Sequence, residues 1–162
     1  ISGGQNEPRD AIAGTAAAVL MHPDARAYLG QSGAWGQALM EYARWMSPIG
    51  MSPRQISGDC TVLGYDFKQN DRVFFMFGAA NRDSSVFEVP DMYDLNRDTG
   101  PAIPFGAGPH FCAGAAASRV LIAEVALPQL FAGFPDLELT EAVRWGGWAF
   151  RGPLSVQVRR GG

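Results

Sequence analysis

The sequence FGAGPHFCAG, residues 105–114, holds a single cysteine in a loop of small residues. Its glycines and alanines let the backbone turn tightly and come close to a flat group, and Phe105 and Phe111 add apolar cover. The Ala-rich run at residues 113–127 favours a helix, so the thiol of Cys112 lies where a loop enters a helix. Backbone N–H groups at a helix start favour the thiolate form of such a sulfur, which is the form that binds metal. This stretch therefore indicates a loop that presents one thiolate.

Two other roles for Cys112 compete with this interpretation. A buried structural cysteine beside a helix is the common fate of a lone thiol. A zinc site is disfavoured, because the chain has two cysteines, Cys60 and Cys112, no C-x-x-C pair, and two histidines that form no ligand cluster. The glycines and aromatic residues around Cys112 disfavour the structural role.

The spacing F-x-x-G-x-x-x-C-x-G, formed by Phe105, Gly108, Cys112 and Gly114, resembles the cysteine loop of the cytochrome P-450 haem-thiolate monooxygenases. The resemblance implies a mainly α fold with small β-sheets (α+β). It also implies haem b, iron protoporphyrin IX, as the cofactor. Cys112 is then expected to be the axial metal ligand, and Phe105, Gly106 and Gly114 belong to the cofactor-binding loop.

Composition limits the partners of this chain. It has 162 residues, a formal net charge of -3 and 47% hydrophobic residues, which is typical of a globular core without affinity for nucleic acid. The sequence suggests no apolar run long enough to span a membrane and no secretory signal, and its two cysteines favour the cytoplasm. Because members of the family are several hundred residues long, residues 1–162 are expected to be the C-terminal haem-binding portion of one P-450 domain, with the N-terminal part of the fold absent.

Apolar residues at helical spacing predict helices, and short β-prone runs predict strands. The helices are expected at residues 4–21, 24–29, 34–45 and from Cys112 to about residue 131. The strands are expected at residues 61–65, 73–76, 143–145 and 154–158.

Two further expectations concern the region before the cysteine loop. Cys60 is expected to be packed rather than reactive. Residues 78–98 are polar and irregular, and they resemble the meander that precedes the cysteine loop in the family. Asn81, Arg82 and Asp83 are expected to hold this segment by local hydrogen bonds.

The first predicted helix departs from the family pattern. In the family, the long central helix is broken over the haem and carries an acid followed by threonine, which relay protons during oxygen activation. Counting back from the His22-Pro23 pair puts Asn6 at the acid position and Glu7 at the threonine position. Glu7 is therefore a candidate proton donor. The alternative is an exposed glutamate in a frayed helix start.

A second family signature lies on the third predicted helix, where Glu41 and Arg44 form E-x-x-R. On an ordinary surface helix such a pair contributes only a few tenths of a kcal/mol. The resemblance implies instead a buried network, completed by Arg97, that holds the cysteine loop and has no catalytic role. It also implies that Arg54 and His110 contact the haem propionates, for which a guanidinium is well suited.

The resemblance places two segments in the substrate pocket, which include Ile49 and Met51 in one and Trp148 and Phe150 in the other. These side chains are uncharged, so a small apolar or aromatic substrate is expected, with ordinary core packing as the alternative. The implied reaction uses O2 to hydroxylate or O-demethylate this substrate. Electrons would come from a separate ferredoxin or flavin-type reductase, since the chain has no Gly-rich nucleotide motif.

Two alternative functions remain open at this stage. With the usual acid and threonine both absent, the protein could use peroxide or rearrange a substrate, and equal turnover with peroxide and with reductase plus O2 would favour that alternative. The other is a haem-binding module without turnover.

Overall fold

The computed structural model describes residues 4–161, so residues 1–3 and 162 of the predicted 1–162 portion lie outside the described residues. Helices are the larger elements of the fold. They are α1 (Asn6–Met21), α2 (Pro23–Tyr28), α3 (Ala34–Met46), α4 (Phe77–Ala80) and α5 (Ala115–Gly133).

Short strands complete the described part of the chain as antiparallel pairs. Strand β1 (Ser52–Gln55) pairs with β4 (Arg72–Phe75), β2 (Cys60–Val62) with β3 (Tyr65–Phe67), β5 (Leu137–Leu139) with β8 (Val158–Arg160), and β6 (Arg144–Gly146) with β7 (Gly152–Ser155). The prediction of a mainly helical fold with small sheets is confirmed.

The core lies where α1, α3 and α5 meet. It includes Val19 from α1, Leu39 and Tyr42 from α3, and Ile122 and Leu127 from α5, all buried. Burying one large aliphatic side chain stabilises the fold by about 1.5–3 kcal/mol. Because the cysteine loop leads directly into α5, this core fixes the position of the loop relative to α1 and α3.

Local backbone chemistry sets the ends of α1. The predicted start at residue 4 is wrong, because Gly4 has φ 96° and Asn6 is the first helical residue. The helix ends at Met21, since His22 is extended and Pro23 is the first residue of α2. The prediction that the pair His22-Pro23 stops the helix is confirmed.

Helix α5 contains seven π-helical residues, Val120–Ala126, before Pro128. It also has the length and apolar composition of a membrane-spanning helix, which corrects the expectation that the sequence holds no such run. Only 28% of its most apolar 18-residue stretch is buried. The buried residues, including Ile122 and Leu127, pack in the core with α1 and α3.

The predicted strand at 61–65 is wrong. Leu63 and Gly64 have φ values of 51° and 82°, so they form a tight turn between β2 and β3. Cys60 on β2 is exposed, which corrects the expectation that it is packed. The reason is that all three residues of this short strand are exposed on both faces.

Residues 154–158, which were predicted as one strand, span parts of two strands in the structure, β7 and β8. Residues of β7 pair with β6, whereas residues of β8 pair with β5, so the chain changes partner after Ser155. Strand β1 was not predicted, because Pro53 lies within it and proline disfavours central strands. Its one partner within residues 4–161 is β4, and proline is tolerated in such a strand where its nitrogen faces away from the partner.

The prediction of local hydrogen bonds at residues 81–83 holds for Asp83 and Arg82. The Asp83 carboxylate accepts bonds from the Ser85 backbone N–H and hydroxyl, and Arg82 donates to Asp91 Oδ1 at 2.6 Å within the same segment. Arg82 also donates to the Trp45 carbonyl at 2.8 Å. The buried amide of Asn81 joins two distant segments, because it donates to Ser47 Oγ at 3.0 Å and accepts from the Ile103 backbone N–H at 2.8 Å. Asn81 therefore ties the end of α3 to the start of the cysteine loop.

Candidate functional site

A cavity of about 780 Å³ opens between α1, α3, β1 and the cysteine loop. Its wall carries four of the predicted functional groups: Cys112, Glu7, Arg54 and His110. Most of the remaining wall is apolar or backbone, including Leu39, Ile49, Phe77, Ile103 and Phe105. One thiol, one carboxyl group, one guanidinium and one imidazole thus line a largely apolar space.

The cysteine loop takes its shape from backbone conformation. Gly106 and Gly108 have φ values of 73° and 64°, which side-chain-bearing residues rarely adopt. The Cys112 backbone N–H donates to the Phe105 carbonyl at 2.9 Å, and the Ala115 N–H donates to the Cys112 carbonyl at 3.2 Å. These bonds hold Cys112 three residues before α5, at the end of the loop that enters the helix.

Aromatic residues cover this loop on its apolar side. The rings of Phe105 and Phe111 lie 6.5 Å apart, and the Arg119 guanidinium lies 5.0 Å from the centre of the Phe105 ring. Gly114 precedes α5, and a Cβ at this position would meet Cys112 Sγ at 3.8 Å, an ordinary contact. The positive φ values of Gly106 and Gly108 therefore favour glycine at these two positions. Nothing among the described residues requires glycine at position 114.

Glu41, Arg44 and Arg97 form one network, in which both arginines contact the glutamate. Arg44 donates to both carboxylate oxygens of Glu41, with Nε–Oε2 and Nη2–Oε1 distances of 2.7 and 2.8 Å, and both side chains are fully buried. Arg97 Nε reaches Glu41 Oε1 at 3.2 Å and is 10% exposed. The Asp94 backbone N–H donates to the same oxygen. Two guanidinium groups thus share one carboxylate.

Backbone carbonyls satisfy the remaining N–H groups of Arg44 and accept two further bonds from Arg97. Arg44 donates to the carbonyls of Asn81, Pro90 and Met92 at 2.8 to 3.0 Å. Arg97 donates to the carbonyls of residues 88 and 89 at 2.5 and 3.1 Å. Buried charge is tolerated when it is paired and fully hydrogen-bonded, and the fully buried pair of Glu41 and Arg44 meets this condition, while Arg97 is slightly exposed.

Arg54 extends along the cavity wall from β1. Its Nη1 donates to Ser52 Oγ at 2.7 Å and to the Pro53 carbonyl at 2.8 Å, and its guanidinium lies 5.5 Å from the centre of the Phe75 ring. These contacts use one of its three nitrogens, which leaves others to pair with an acidic group in the cavity. His110 ends a short 3₁₀ turn before Cys112 and is exposed at the same wall.

Glu7 lies in the first turn of α1, half-buried at the cavity wall. Its carboxylate accepts a hydrogen bond from the Gly4 backbone N–H at 3.2 Å. The adjacent Pro8 lines the cavity as well. Asn6 is exposed and lies off the wall. Of the two residues at the broken-helix positions, only Glu7 faces the space beside Cys112.

The structure places one of the predicted substrate-pocket residues on the wall of this cavity, and Phe150 forms an isolated β-bridge with that residue. Ile49 is on the cavity wall, but Met51, Trp148 and Phe150 are not. Trp148 and Phe150 belong to the turn between β6 and β7, which leaves their rings 63% and 56% exposed. Trp148 instead packs near Phe74, with ring centres 6.3 Å apart.

The residues at the cavity fit a haem better than a metal ion held by several side chains. Within residues 4–161 no group of three or more His, Cys, Asp or Glu side chains is suitably placed to hold a metal ion. The cavity offers one thiol, apolar walls and a guanidinium, which match an axial iron ligand, a flat macrocycle and its acidic substituents.

Sequence comparison agrees with this geometry. The profile of the family named Cytochrome P450 matches residues 36–134. The chain is 34% identical over 131 residues to the biotin biosynthesis cytochrome P450 of Bacillus subtilis (strain 168), covering 80% of this chain and 33% of that protein. It is 37% identical over 124 residues to the vitamin D(3) 25-hydroxylase of Pseudonocardia autotrophica, covering 75% of this chain and 30% of that protein.

Solved structures give the same result. The structure of P450BioI with an acyl-carrier-protein-bound hexadec-9Z-enoic acid superposes with a TM-score of 0.87 at 31% identity, covering 97% of this chain and 41% of that one. Epothilone D-bound cytochrome P450epoK gives 0.89 at 30% identity, covering 99% and 40%. The chain belongs to the cytochrome P450 family, and membership implies a haem cofactor. It spans about a third of the length of the curated relatives it matches.

Proposed function

We propose that this protein is a haem-thiolate monooxygenase that hydroxylates or O-demethylates a small apolar or aromatic compound. The observation that carries the proposal is the Cys112 thiol, set at the start of α5 on the wall of an apolar cavity. When bound there, haem b would supply the chemistry that activates O2, inserts one oxygen atom into a C–H bond and reduces the other to water.

Each residue of the site has a distinct role in this proposal. Cys112 would bind the iron as a thiolate, which is favoured by the backbone N–H groups at the start of α5. Arg54 and His110 would hold the propionates. Glu41 and Arg44, with Arg97, hold the backbone that leads into the loop and touch no reacting atom.

The proposed partners lie outside the described chain. A ferredoxin or flavin-type reductase would deliver electrons, and the N-terminal part of the same fold would close the substrate pocket. A cytoplasmic location is proposed as well, supported by the resemblance to bacterial members of the family.

The substrate proposal rests on the uncharged residues of two segments, Ile49 and Met51 in one and Trp148 and Phe150 in the other, of which Ile49 lies on the cavity wall. A methoxylated benzene should bind more tightly than a sugar of equal size, because hydroxyl groups would lose water without gaining partners there. We expect at least about a tenfold difference in Kd, or about 1.4 kcal/mol, in titrations that follow the haem spectrum of the complete enzyme. Tight binding of the sugar and none of the aromatic ligand would contradict the proposal.

Glu7 is proposed to take the place of the family's threonine in proton delivery. A carboxyl group both accepts and donates a proton, whereas the amide of Glu7→Gln keeps the size and loses this ability. We expect Glu7→Gln to slow product formation by about a hundredfold and to divert reduced oxygen to hydrogen peroxide, with haem content unchanged. The measurement is product formed per reducing equivalent consumed.

Asp24→Asn is the matched control for Glu7→Gln, because Asp24 is an exposed acid in the first turn of α2 and lies off the cavity wall. It should behave as the wild type. Unchanged rate and coupling in Glu7→Gln would show that Glu7 is structural and that protons arrive by another route.

Peroxide use is the second candidate function. The observation that favours it is the absence of the usual acid and threonine, with Asn6 and Glu7 at their positions. Equal turnover with peroxide and with reductase plus O2 would support this function over the first.

A further inference from the structure

Tyr42 on α3 makes a buried polar contact with α1. Its side chain is fully buried, and its hydroxyl donates a hydrogen bond to the backbone carbonyl of Asp10 at 3.2 Å. Burial, and then the nearby Asp10 carboxylate, raise the pKa of Tyr42 above its ordinary value. The hydroxyl therefore stays protonated and remains a donor at every pH at which the protein would work.

Gly14 makes room for this contact. A Cβ added at Gly14 would lie 2.0 Å from the Tyr42 hydroxyl oxygen and 2.1 Å from Cζ of its ring. The Tyr42 ring thus occupies the space that the side chain of any other amino acid at position 14 would fill. Trp145 lies beside this ring, with the two ring centres 6.3 Å apart. Interiors are closely packed, so the pair Tyr42 and Gly14 fixes α1 against α3 in one position.

The contact falls one turn after the start of α1. Within residues 4–161, the N-cap residue Gln5 makes no side-chain capping hydrogen bond, and a first turn without such a cap tends to fray. Glu7 lies in that turn, three residues before Asp10 and therefore one helical turn away. The Asp10 carbonyl is the acceptor that closes the next turn with the Gly14 N–H.

We propose that Tyr42 is a positioning residue, which holds the first turn of α1 through the Asp10 carbonyl and thereby places Glu7 at the cavity wall. The inference rests on the proposed role of Glu7 in proton delivery. Tyr42 itself lies off the cavity wall and touches no reacting group. Its effect on the reaction passes through the position of Glu7.

Tyr42→Phe in the complete holoenzyme tests the inference, because it removes the hydroxyl and keeps the ring over Gly14. We expect the product formed per reducing equivalent to fall by about fivefold, the effect of losing one ordinary hydrogen bond. The double variant Tyr42→Phe with Glu7→Gln should be no worse than Glu7→Gln alone, since the hydroxyl acts through Glu7.

Tyr93→Phe is the matched control. The Tyr93 hydroxyl is also buried and donates to a backbone carbonyl, that of Ala38 at 3.0 Å, but this carbonyl lies within α3. The loss of one buried hydrogen bond is the same, but this bond does not join α3 to α1. Tyr93→Phe should therefore leave the coupling of electrons to product unchanged.

Amide hydrogen exchange of the resting holoenzyme gives a readout that does not depend on turnover. In Tyr42→Phe, exchange at the backbone amides of residues 11–14 should become faster by about tenfold, because the first turns of α1 open more often. In Tyr93→Phe these amides should exchange as in the wild type.

The outcomes separate this inference from the proposal on which it rests. Reduced coupling in Glu7→Gln together with normal coupling in Tyr42→Phe, or with additive effects in the double variant, would overturn the inference and leave the role of Glu7 standing. Equal losses of coupling in Tyr42→Phe and Tyr93→Phe would also overturn it, because they indicate general destabilisation. Unchanged coupling in Glu7→Gln would overturn both.

Discussion

Replacing Cys112 with serine should abolish the thiolate-type absorption of the reduced carbon monoxide complex in the complete enzyme. A serine hydroxyl has nearly the shape of the thiol but stays protonated near neutral pH, so it cannot supply the anionic sulfur that the iron needs. Iron with a thiolate ligand has a spectrum of its own, and we expect the loss of that band to be complete.

Cys60→Ser provides the control for Cys112→Ser. Cys60 is a free cysteine exposed on β2, away from the cavity wall, so its replacement should leave the spectrum unchanged. Survival of the thiolate band in Cys112→Ser would refute the ligand assignment, and a band lost only in Cys60→Ser would move the ligand to that residue.

Arg44→Ala should lower the free energy of unfolding by about 3–5 kcal/mol, which is the cost of removing one partner of a buried ion pair. The change leaves the Glu41 carboxylate fully buried with only Arg97 to pair with it, and it leaves the carbonyls of Asn81, Pro90 and Met92 without their donor. The backbone leading into the cysteine loop would loosen, so haem should be lost as well. Denaturant unfolding and haem content measure the two effects.

Arg159→Ala is the comparison for Arg44→Ala. Arg159 also pairs with a glutamate, Glu138 at 3.2 Å, but the two side chains are 68% and 50% exposed. Exposed pairs contribute little, so this variant should unfold and bind haem as the wild type does. Wild-type stability and haem content in Arg44→Ala would contradict the role given to the buried network.

The sequence predicted helices more accurately than strands. Helix α3 was expected at residues 34–45 and ends one residue later, at Met46. The prediction was accurate because the apolar stripe and the Ser47-Pro48 pair are local signals. The strands are three or four residues long, so their alternation is too short to separate one strand from a hairpin. The turn at Leu63 and Gly64 is an example, since leucine in a left-handed conformation has no recognisable sequence signal.

The site residues, too, were predictable from the sequence only where the signal is local. Cys112, Glu41 and Arg44 belong to compact motifs, and their spacing was visible in the sequence. The contact of Tyr42 with Asp10 and that of Asn81 with Ile103 join residues far apart in the chain, so no local pattern announces them. A glycine inside an otherwise alanine-rich helix, Gly14, was the one available hint, because such a glycine often marks a close approach.

The arginine network has a consequence for how this protein can change during evolution. Arg44 and Arg97 hold the meander by hydrogen bonds to carbonyl oxygens, which every amino acid possesses, and the buried ring of Phe87, 5.4 Å from the Arg44 guanidinium, adds a side-chain contact. Exposed positions such as Val86 and Met92 can therefore be exchanged without loosening the support of the cysteine loop. Sequence drift is expected to concentrate on that surface, while the two arginines and their shared glutamate stay fixed. A new docking partner can be acquired there at little risk to the haem site.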